Sequence, residues 1–576
     1  MDRLKQKLLL LIVTINSALL FAQNSNSTSI ERNLKISTTE TIYLQTNNDA
    51  LITGETLYYQ FYCLNPNNFK PSEISKIAHV KLLSNDNKVI IEQKLKLNNG
   101  VGNGDIFIPS NLNSGVYKLV GYTNWSLNKN DFKYFTKDIT IVNPFQMETK
   151  DLITKSIAET KNLENSKNLN STSTSGTLVS DKKSYSPREL VNFKVNSSNQ
   201  LTNGNYAISI KKIDAFVSNK SHNPLTFSKI NSASEILSSN KSTMVLPELR
   251  GEILSGEIKS KNTQNSVNSV SIGLSIPGEN FFFKVVKTNQ SGKFYFTIDQ
   301  NYTNPNRIIQ VISPYRNEYE ITVNTSIPVE LNSSENHFIV NENMISAIKE
   351  RAIATQIENA YFNRKKDSIP NKNKTNAFYK PLEKDYILDN YNRFPSFLET
   401  ITEVLKEVYY EKNNNQYTLG VRDYDKTIEI AEPTLVLVDG ILIQDANELI
   451  DLKMNTIYKV STIQGGYYYG PNIFNGMISI ISKNHDYKLK TKGNFIANSN
   501  QISPNQDKDY YIPDYSKEEN KRIPDYRHQL LWMPQYDVSK PISFYTSDVK
   551  GTFEITIEGF TTDGLPVYLS DTFTVN

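Results

Sequence analysis

Thr56-Leu57-Tyr58-Tyr59-Gln60-Phe61-Tyr62 and Gly115-Val116-Tyr117-Lys118-Leu119-Val120-Gly121-Tyr122 decide how this chain is read. Both runs are rich in aromatic and β-branched side chains, which suit a pleated, half-buried surface. Between them lie Val89-Ile90-Ile91 and Gly104-Asp105-Ile106-Phe107-Ile108-Pro109, set off by Asn, Gly and Pro. Short strands at regular spacing with turn residues between them predict a β-sandwich over residues 36–146. Cys63 ends the first run and is the chain's one cysteine. An internal disulfide is therefore excluded, and the thiol reads as a small buried hydrophobe.

The rest of the composition agrees with a β-rich chain. Aromatic residues reach 11%, with 33 Tyr and 26 Phe, while charged residues are 21% of the 576 residues. Disordered chains are poor in aromatics, so the polarity belongs to loops around real cores. A net charge of +3 with no basic block calls for no nucleic-acid partner. The length predicts several domains.

The first residues have the form of an export signal. Arg3, Lys5 and Lys7 precede an apolar run from Leu8 to Leu20, and Phe21-Ala22-Gln23 places a small residue at the exit. This predicts a signal peptide over 1–22. A membrane span needs about 20 apolar residues, and Thr14, Asn16 and Ser17 interrupt this run. The mature chain is expected in the periplasm, at the outer membrane or on the cell surface, with no transmembrane span of its own.

Thr41-Ile42-Tyr43, Gly54-Glu55-Thr56-Leu57-Tyr58, Asn99-Gly100-Val101-Gly102 and Ser114-Gly115-Val116-Tyr117 together resemble the macroglobulin-type domain, the sandwich repeated in α-macroglobulins. Gly54 and Gly115 would then sit at turns. Residues 147–180, dominated by Lys, Asn, Ser and Thr, read as a linker. Tyr185 and Glu189-Leu190-Val191-Asn192-Phe193 echo the first domain, so 181–245 reads as a second, partial sandwich of that kind. Leu249-Arg250-Gly251-Glu252-Ile253, Val270-Ser271-Ile272-Gly273 and Thr288-Asn289-Gln290-Ser291-Gly292-Lys293-Phe294-Tyr295-Phe296 resemble the carboxypeptidase regulatory-type sandwich. That unit is placed at 248–330, and the resemblance implies a scaffold without peptidase chemistry.

Ile345, Ile348, Ala352, Ile353, Ile357, Ala360 and Tyr361 recur at helical spacing, which predicts a helix over 341–363 capped by Asn341 or Asn343. It reads as a helix packed on a neighbouring domain, with a dimerisation helix as the alternative. A linker is expected at 364–383. Residues 384–486 are the most distinctive. Ser396 and Glu399 form a capping box before Phe397, Ile401, Val404, Leu405 and Val408. Thr434-Leu435-Val436-Leu437-Val438-Asp439-Gly440 follows, then Asp445 as a cap with Glu448, a strand from Ile457 to Thr462, Gly465-Gly466-Tyr467-Tyr468-Tyr469-Gly470, and Asn475-Gly476-Met477-Ile478-Ser479-Ile480. This order resembles the plug domain of TonB-dependent outer-membrane receptors. Such receptors carry a large β-barrel after the plug, and residues 484–576 are too few for one. The expectation is a plug fold that docks on a separate protein or serves as an α+β module.

Phe544-Tyr545-Thr546-Ser547-Asp548, Gly551-Thr552-Phe553 and Ile557-Glu558-Gly559 predict a C-terminal β-sandwich at 520–576, again similar to the macroglobulin type. The whole order resembles a family of exported Bacteroidetes proteins with macroglobulin-type domains and a plug-like domain lacking the barrel. The expected fold class is mainly β, with several sandwiches and one α+β domain.

No catalytic residues, metal ligands or cofactor site emerge. His79, His222, His337, His485 and His528 are scattered, without metal-ligand spacing. Neither a nucleophile elbow nor a phosphate-binding loop is present. Macroglobulin thioester chemistry needs Cys-Gly-Glu-Gln, whereas Cys63 is followed by Leu64-Asn65-Pro66. The expectation is a protein that is not an enzyme. Tyr467, Tyr468, Tyr469 and Phe474 are the candidate partner-binding residues, since Tyr is favoured at contact patches. The alternative is a tyrosine-rich turn packed on its own sheet. The partner expected is an outer-membrane β-barrel or another envelope protein. A macroglobulin-like binder of peptides or proteases is the alternative.

Overall fold

The computed structural model describes residues 39–129, 133–146, 176–197, 201–217, 223–230, 244–325, 327–329, 331, 340, 342–370, 377–423 and 433–576, apart from 263, 301 and 303. The expected signal peptide and nearly all of the 147–180 linker lie outside these residues. The fold is mainly β and divides into two compact units. The first takes the described residues of 39–249, 331–369 and 506–576, and the second those of 250–330 and 370–505.

The first unit opens with strands β1 (Thr41–Thr46), β2 (Ala50–Ile52), β3 (Thr56–Leu64), β4 (Ile77–Leu83), β5 (Val89–Lys96), β6 (Val101–Phe107), β7 (Gly115–Tyr122) and β8 (Phe135–Val142). They form two sheets, β1-β3-β6 and β2-β8-β7-β4-β5. Leu44, Phe61, Leu82, Leu119 and Ile139 are fully buried between the sheets. Gly54 has φ +90 in the turn after β2, where a Cβ would be strained. Gly115 instead starts β7, outside the left-handed region.

Next come β9 (Gly176–Ser180), β10 (Ser184–Tyr185), β11 (Leu190–Ser197) and β12 (Gly204–Lys212), then helix α1 (Pro224–Ile230). In the second unit, β13 (Glu252–Ser260), β14 (Ser271–Ile276), β15 (Phe282–Lys287), β16 (Lys293–Ile298), β17 (Asn306–Ile312) and β18 (Tyr319–Val323) make a sandwich with sheets β16-β13-β18 and β15-β14-β17. Helix α2 (Glu342–Ala360) returns to the first unit.

The α+β module follows in the second unit: β19 (Lys384–Ile387), α3 (Phe397–Glu403), β20 (Val408–Asn413), β21 (Gln416–Val421), β22 (Leu435–Val438), β23 (Ile441–Leu442), β24 (Ile457–Tyr469) and β25 (Asn472–Ser482). Its main sheet has the order β19-β24-β25-β22-β23, with β22 parallel to β25. Ser396 Oγ accepts from the Glu399 amide, and Asp445 accepts from the Asn447 amide, as the capping reading expects. β26 (Ile496–Asn500) then adds to the sandwich sheet beside β17.

The chain closes in the first unit with β27 (Gln529–Tyr536), β28 (Ile542–Tyr545), β29 (Gly551–Thr561) and β30 (Pro566–Val575). These do not form a separate domain. β12 is flanked by β29 and β27, and β11 by β28 and β9, giving sheets β10-β30-β29-β12-β27 and β28-β11-β9. Residues 181–212 and 529–575, expected as two sandwiches, are halves of one. The period-2 pattern of a strand shows which face is buried and says nothing about which strand lies beside it. One core containing Val191, Ile208, Ile210, Leu531, Phe544 and Ile557 fills the shared interior.

Helix α2 is tied to both sandwiches of the first unit by an arginine. Arg351 is buried; its Nε donates to Glu55 Oε1 at 2.8 Å and its Nη2 to Glu55 Oε2 at 2.5 Å and to the Ala50 carbonyl at 2.9 Å. Asp214 lies 3.8 Å from Nη1, and the guanidinium sits over the Phe216 ring. Asn343 falls within the helix's first turn, and Asn341 lies outside the described residues. The buried line of the helix is Ala347, Ile348, Arg351 and Ala354, while Ile353 of the predicted stripe is 61% exposed.

The turn between β22 and β23 is the two-residue hairpin Asp439-Gly440, with φ +49 and +83. Positive φ at both positions marks a type I′ turn, for which Asp-Gly is a preferred sequence. Asp439 is fully buried; its carboxylate accepts from the Ser482 amide at 2.8 Å, Ser482 Oγ at 2.6 Å and the Tyr487 amide at 3.1 Å. Asp439→Ala removes these acceptors and places a residue less tolerant of the left-handed region in the turn. The expected cost is about 2–3 kcal/mol by urea unfolding, with Asp439→Asn losing less.

Candidate functional site

The four aromatic residues singled out above lie at the tip of the β24–β25 hairpin. Gly465, at φ +73, falls where the register of β24 against β25 shifts between Ile463 and Gly466, a bulge that resets the alternation of the strand. Beyond it Tyr467 and Tyr469 share one face, and Tyr468 points to the other. Gly470-Pro471 closes the hairpin with Tyr469 opposite Asn472. Gly470 has φ +59, and a proline after it fits the second position of a type II′ turn.

The inward face is an aromatic cluster. Tyr467 and Tyr469 stack with centroids 6.0 Å apart, and Tyr469 stacks on Phe283 of β15 at 5.8 Å. Phe378 lies 4.3 Å from Tyr469, and the Tyr469 hydroxyl donates to the Phe283 carbonyl at 2.5 Å. Phe474 is 2% exposed and Tyr467 7%. Burial, then the neighbouring Tyr379, pushes the Tyr467 hydroxyl up to about 12. Tyr468 is 69% exposed, and its cross-strand partner Ile473 is 38% exposed. Of the four candidates, Tyr468 therefore has the ring a partner can reach, while Tyr467, Tyr469 and Phe474 hold the hairpin to the sandwich. Ile473 was not singled out from sequence; its pairing with Tyr468 depends on the bulge at Gly465.

The module's sheet is joined to the sandwich of its unit by polar contacts as well. Gln310 Nε2 donates to the Leu442 carbonyl at 2.8 Å, and the Leu442 amide donates to Ser275 Oγ at 3.1 Å. Gln444 Nε2 reaches Gln310 Oε1 at 3.0 Å, and Ser271 Oγ donates to Asn472 Oδ1 at 2.8 Å. Leu435, Leu437, Met477 and Phe474 share one core with Phe283 and Val285. Two-sided burial explains why β22 reads as a continuous apolar run.

Several buried charges of the described residues are paired within their own unit. Arg307 and Glu252 are both wholly buried, with Nη2 3.1 Å from Glu252 Oε2 and 2.8 Å from the Tyr302 hydroxyl, which also donates to that carboxylate. Arg307 Nη1 donates to the Pro305 carbonyl at 2.8 Å and the Gln501 carbonyl at 2.5 Å. His79 pairs with Glu248 at 2.8 Å and stacks on Tyr122. Cys63 is buried in β3, and burial, then the nearby Glu40, pushes its thiol well up. Glu40 accepts from Ser72 Oγ, Ser75 Oγ and Thr123 Oγ1. Among the described residues no group of His, Cys, Asp or Glu is arranged to hold a metal ion. No helix among them is long and apolar enough to cross a membrane.

No protein-family model matches the chain, and no curated protein matches it. Among solved structures, it is similar to Escherichia coli alpha-2-macroglobulin activated by porcine elastase, at 9% identity and TM-score 0.23, over 93% of this chain and 44% of that one. Salmonella alpha-2-macroglobulin reacted with methylamine gives 9% identity and TM-score 0.22, over 93% and 39%. Dimeric latent PorU from Porphyromonas gingivalis gives 9% and 0.17, over 50% and 33%. The chain spans less than half the length of these macroglobulins. The sandwich architecture rests on the chain's own strand pairing.

Proposed function

We propose that this chain is a non-catalytic, exported cell-envelope protein that binds an outer-membrane protein complex, with its plug-like module built in as part of a scaffold. The observation that carries this reading is the sealed face of that module. Its sheet is committed to the neighbouring sandwich through Leu442, Gln310, Gln444 and Tyr469. Residues after the module, β26 to β30, go into sandwich sheets. What the hairpin offers outward is Tyr468 with Ile473, a small aromatic and aliphatic contact of the kind favoured at protein interfaces.

The test is affinity capture of the tagged protein from gently solubilised envelopes, with Tyr468→Ser alongside. A stoichiometric barrel protein, lost with Tyr468→Ser, is the expected result. That variant should change stability by less than about 0.5 kcal/mol, since it alters an exposed site. Clean recovery of a lone protein would overturn the reading. A macroglobulin-like binder of peptides or proteases, lacking thioester chemistry, is the second reading. The observation behind it is the two-sheet sandwich of β1 to β8, while Cys63, buried in β3 and followed by Leu64-Asn65-Pro66, supplies no thioester sequence.

A further inference from the structure

The two sandwiches of the first unit meet across a surface that contains one acidic side chain of unusual placement. Glu558, on β29 of the discontinuous sandwich, receives a hydrogen bond on Oε2 from the Tyr43 hydroxyl of β1 at 3.2 Å. Its main-chain carbonyl accepts from the Tyr62 hydroxyl of β3 at 3.2 Å. Around this contact Tyr43 packs against Phe560 of β29 and Phe227 of α1, with centroids 5.7 and 5.0 Å away. Gln45 Nε2 donates to the Ala207 carbonyl, and Gln535 donates its amide to Gln60.

The charges facing the carboxyl come from several elements. Lys137 of β8 and Lys211 of β12 are the nearby cations, and Asp49 before β2 is the nearby anion. Both lysines have partners of their own. Lys137 pairs with Asp49 at 2.8 Å and donates to Thr46 Oγ1 at 2.7 Å, and Lys211 donates to the Asn47 carbonyl at 2.9 Å. Tyr568 of β30 lies opposite Glu558 in the strand register. Glu558, itself half-buried, thus sits at the rim of an aromatic junction, with its hydrogen bond supplied by a neutral phenol.

We propose that Glu558 is a proton-operated latch between the two sandwiches of the first unit, closed when its carboxyl is protonated and loosened when the carboxyl ionises. A protonated carboxyl can stay between Tyr43 and the ring cluster without a cation. An ionised one is drawn to water, and the nearby ammonium groups of Lys137 and Lys211 are bonded to Asp49, Thr46 and Asn47. Burial, with Asp49 adding to it and Lys137, Tyr43 and Lys211 opposing, raises the group to about 7 in the closed junction. In an opened junction it returns to the ordinary glutamate value near ~4.3. The closed form therefore holds the proton more tightly. Closure is fully favoured below the ordinary value, weakens as pH rises towards about 7, and is flat above. This inference stands apart from the identity of any partner.

The experiment is amide hydrogen exchange of the full chain between pH 5 and pH 8.5, corrected for the intrinsic pH dependence of exchange and read at residues 41–46, 58–62 and 204–208. Protection of these strands should fall about tenfold or more across the range in the native protein. With Glu558→Gln it should stay high and independent of pH. Tyr43→Phe, which keeps the carboxyl and removes the hydroxyl that favours its ionised form, should retain the fall and move its midpoint upwards. Parallel pH profiles for the native protein and Glu558→Gln would overturn the proposal, as would an unshifted midpoint in Tyr43→Phe should the glutamine variant fail to fold.

Discussion

Arg307→Ala is expected to destabilise the second unit by about 3–5 kcal/mol, because it leaves the Glu252 carboxylate buried without its cation. Glu252 and Arg307 are both 0% exposed, and the guanidinium also satisfies the carbonyls of Pro305 and Gln501. Glu252→Ala should cost a similar amount for the mirrored reason. Replacing the pair together with Leu and Met should recover part of the loss, since well-packed apolar side chains often do as well as a buried ion pair. The measurement separates the two units. The chain's two tryptophans, Trp125 and Trp532, are both in the first unit. Near-ultraviolet tyrosine dichroism adds the second unit's cluster around Tyr469 to the signal of first-unit rings such as Tyr43, Tyr62 and Tyr122, so a change confined to the second unit appears in it and not in the fluorescence. Arg307→Ala should lower the urea midpoint seen by tyrosine dichroism and leave the tryptophan fluorescence midpoint in place. An equal shift in both would show that the pair does not act within its own unit.

The reverse pattern is expected for Arg351. Arg351→Met keeps an aliphatic stem against Phe216 but leaves Glu55 half-buried with no cation, and the Ala50 carbonyl without its donor. The expected cost is about 3–5 kcal/mol, read by tryptophan fluorescence. Arg351→Lys should not rescue it, because one ammonium cannot reproduce the two parallel bonds to Glu55 together with the third to Ala50. Arg351→Met with Glu55→Gln should cost less than the sum of the single changes, which a double-mutant cycle would measure. Additive losses would mean that the helix is held by Ile348 and its neighbours rather than by this pair.

These arginines also mark where sequence reading stops. The strand runs around Tyr59, Leu119, Phe296 and Ile480 show themselves locally, because alternation and turn residues are properties of neighbours in the chain. The caps at Ser396 and Asp445 are equally local. Arg351 lies 296 residues from Glu55, and Arg307 lies 55 residues from Glu252. Nothing near either residue announces its partner. The same limit split one sandwich into two, since Ile208 and Ile557 are adjacent in the sheet and far apart in the chain. At the hairpin, the triple tyrosine was visible, but which of its rings faces outward depended on one bulge at Gly465.

That split sandwich has a consequence for how the protein comes into being. Ser209 and Thr556, bonded across β12 and β29, are separated by 347 residues. In a chain that emerges in order at about 5–20 residues per second, β12 waits on the order of half a minute for the strand that pairs beside it. During that time its backbone edge is open to any other strand it meets. The yield of a chain built this way should depend on the interval between Gly204–Lys212 and Gly551–Thr561 as well as on its final stability.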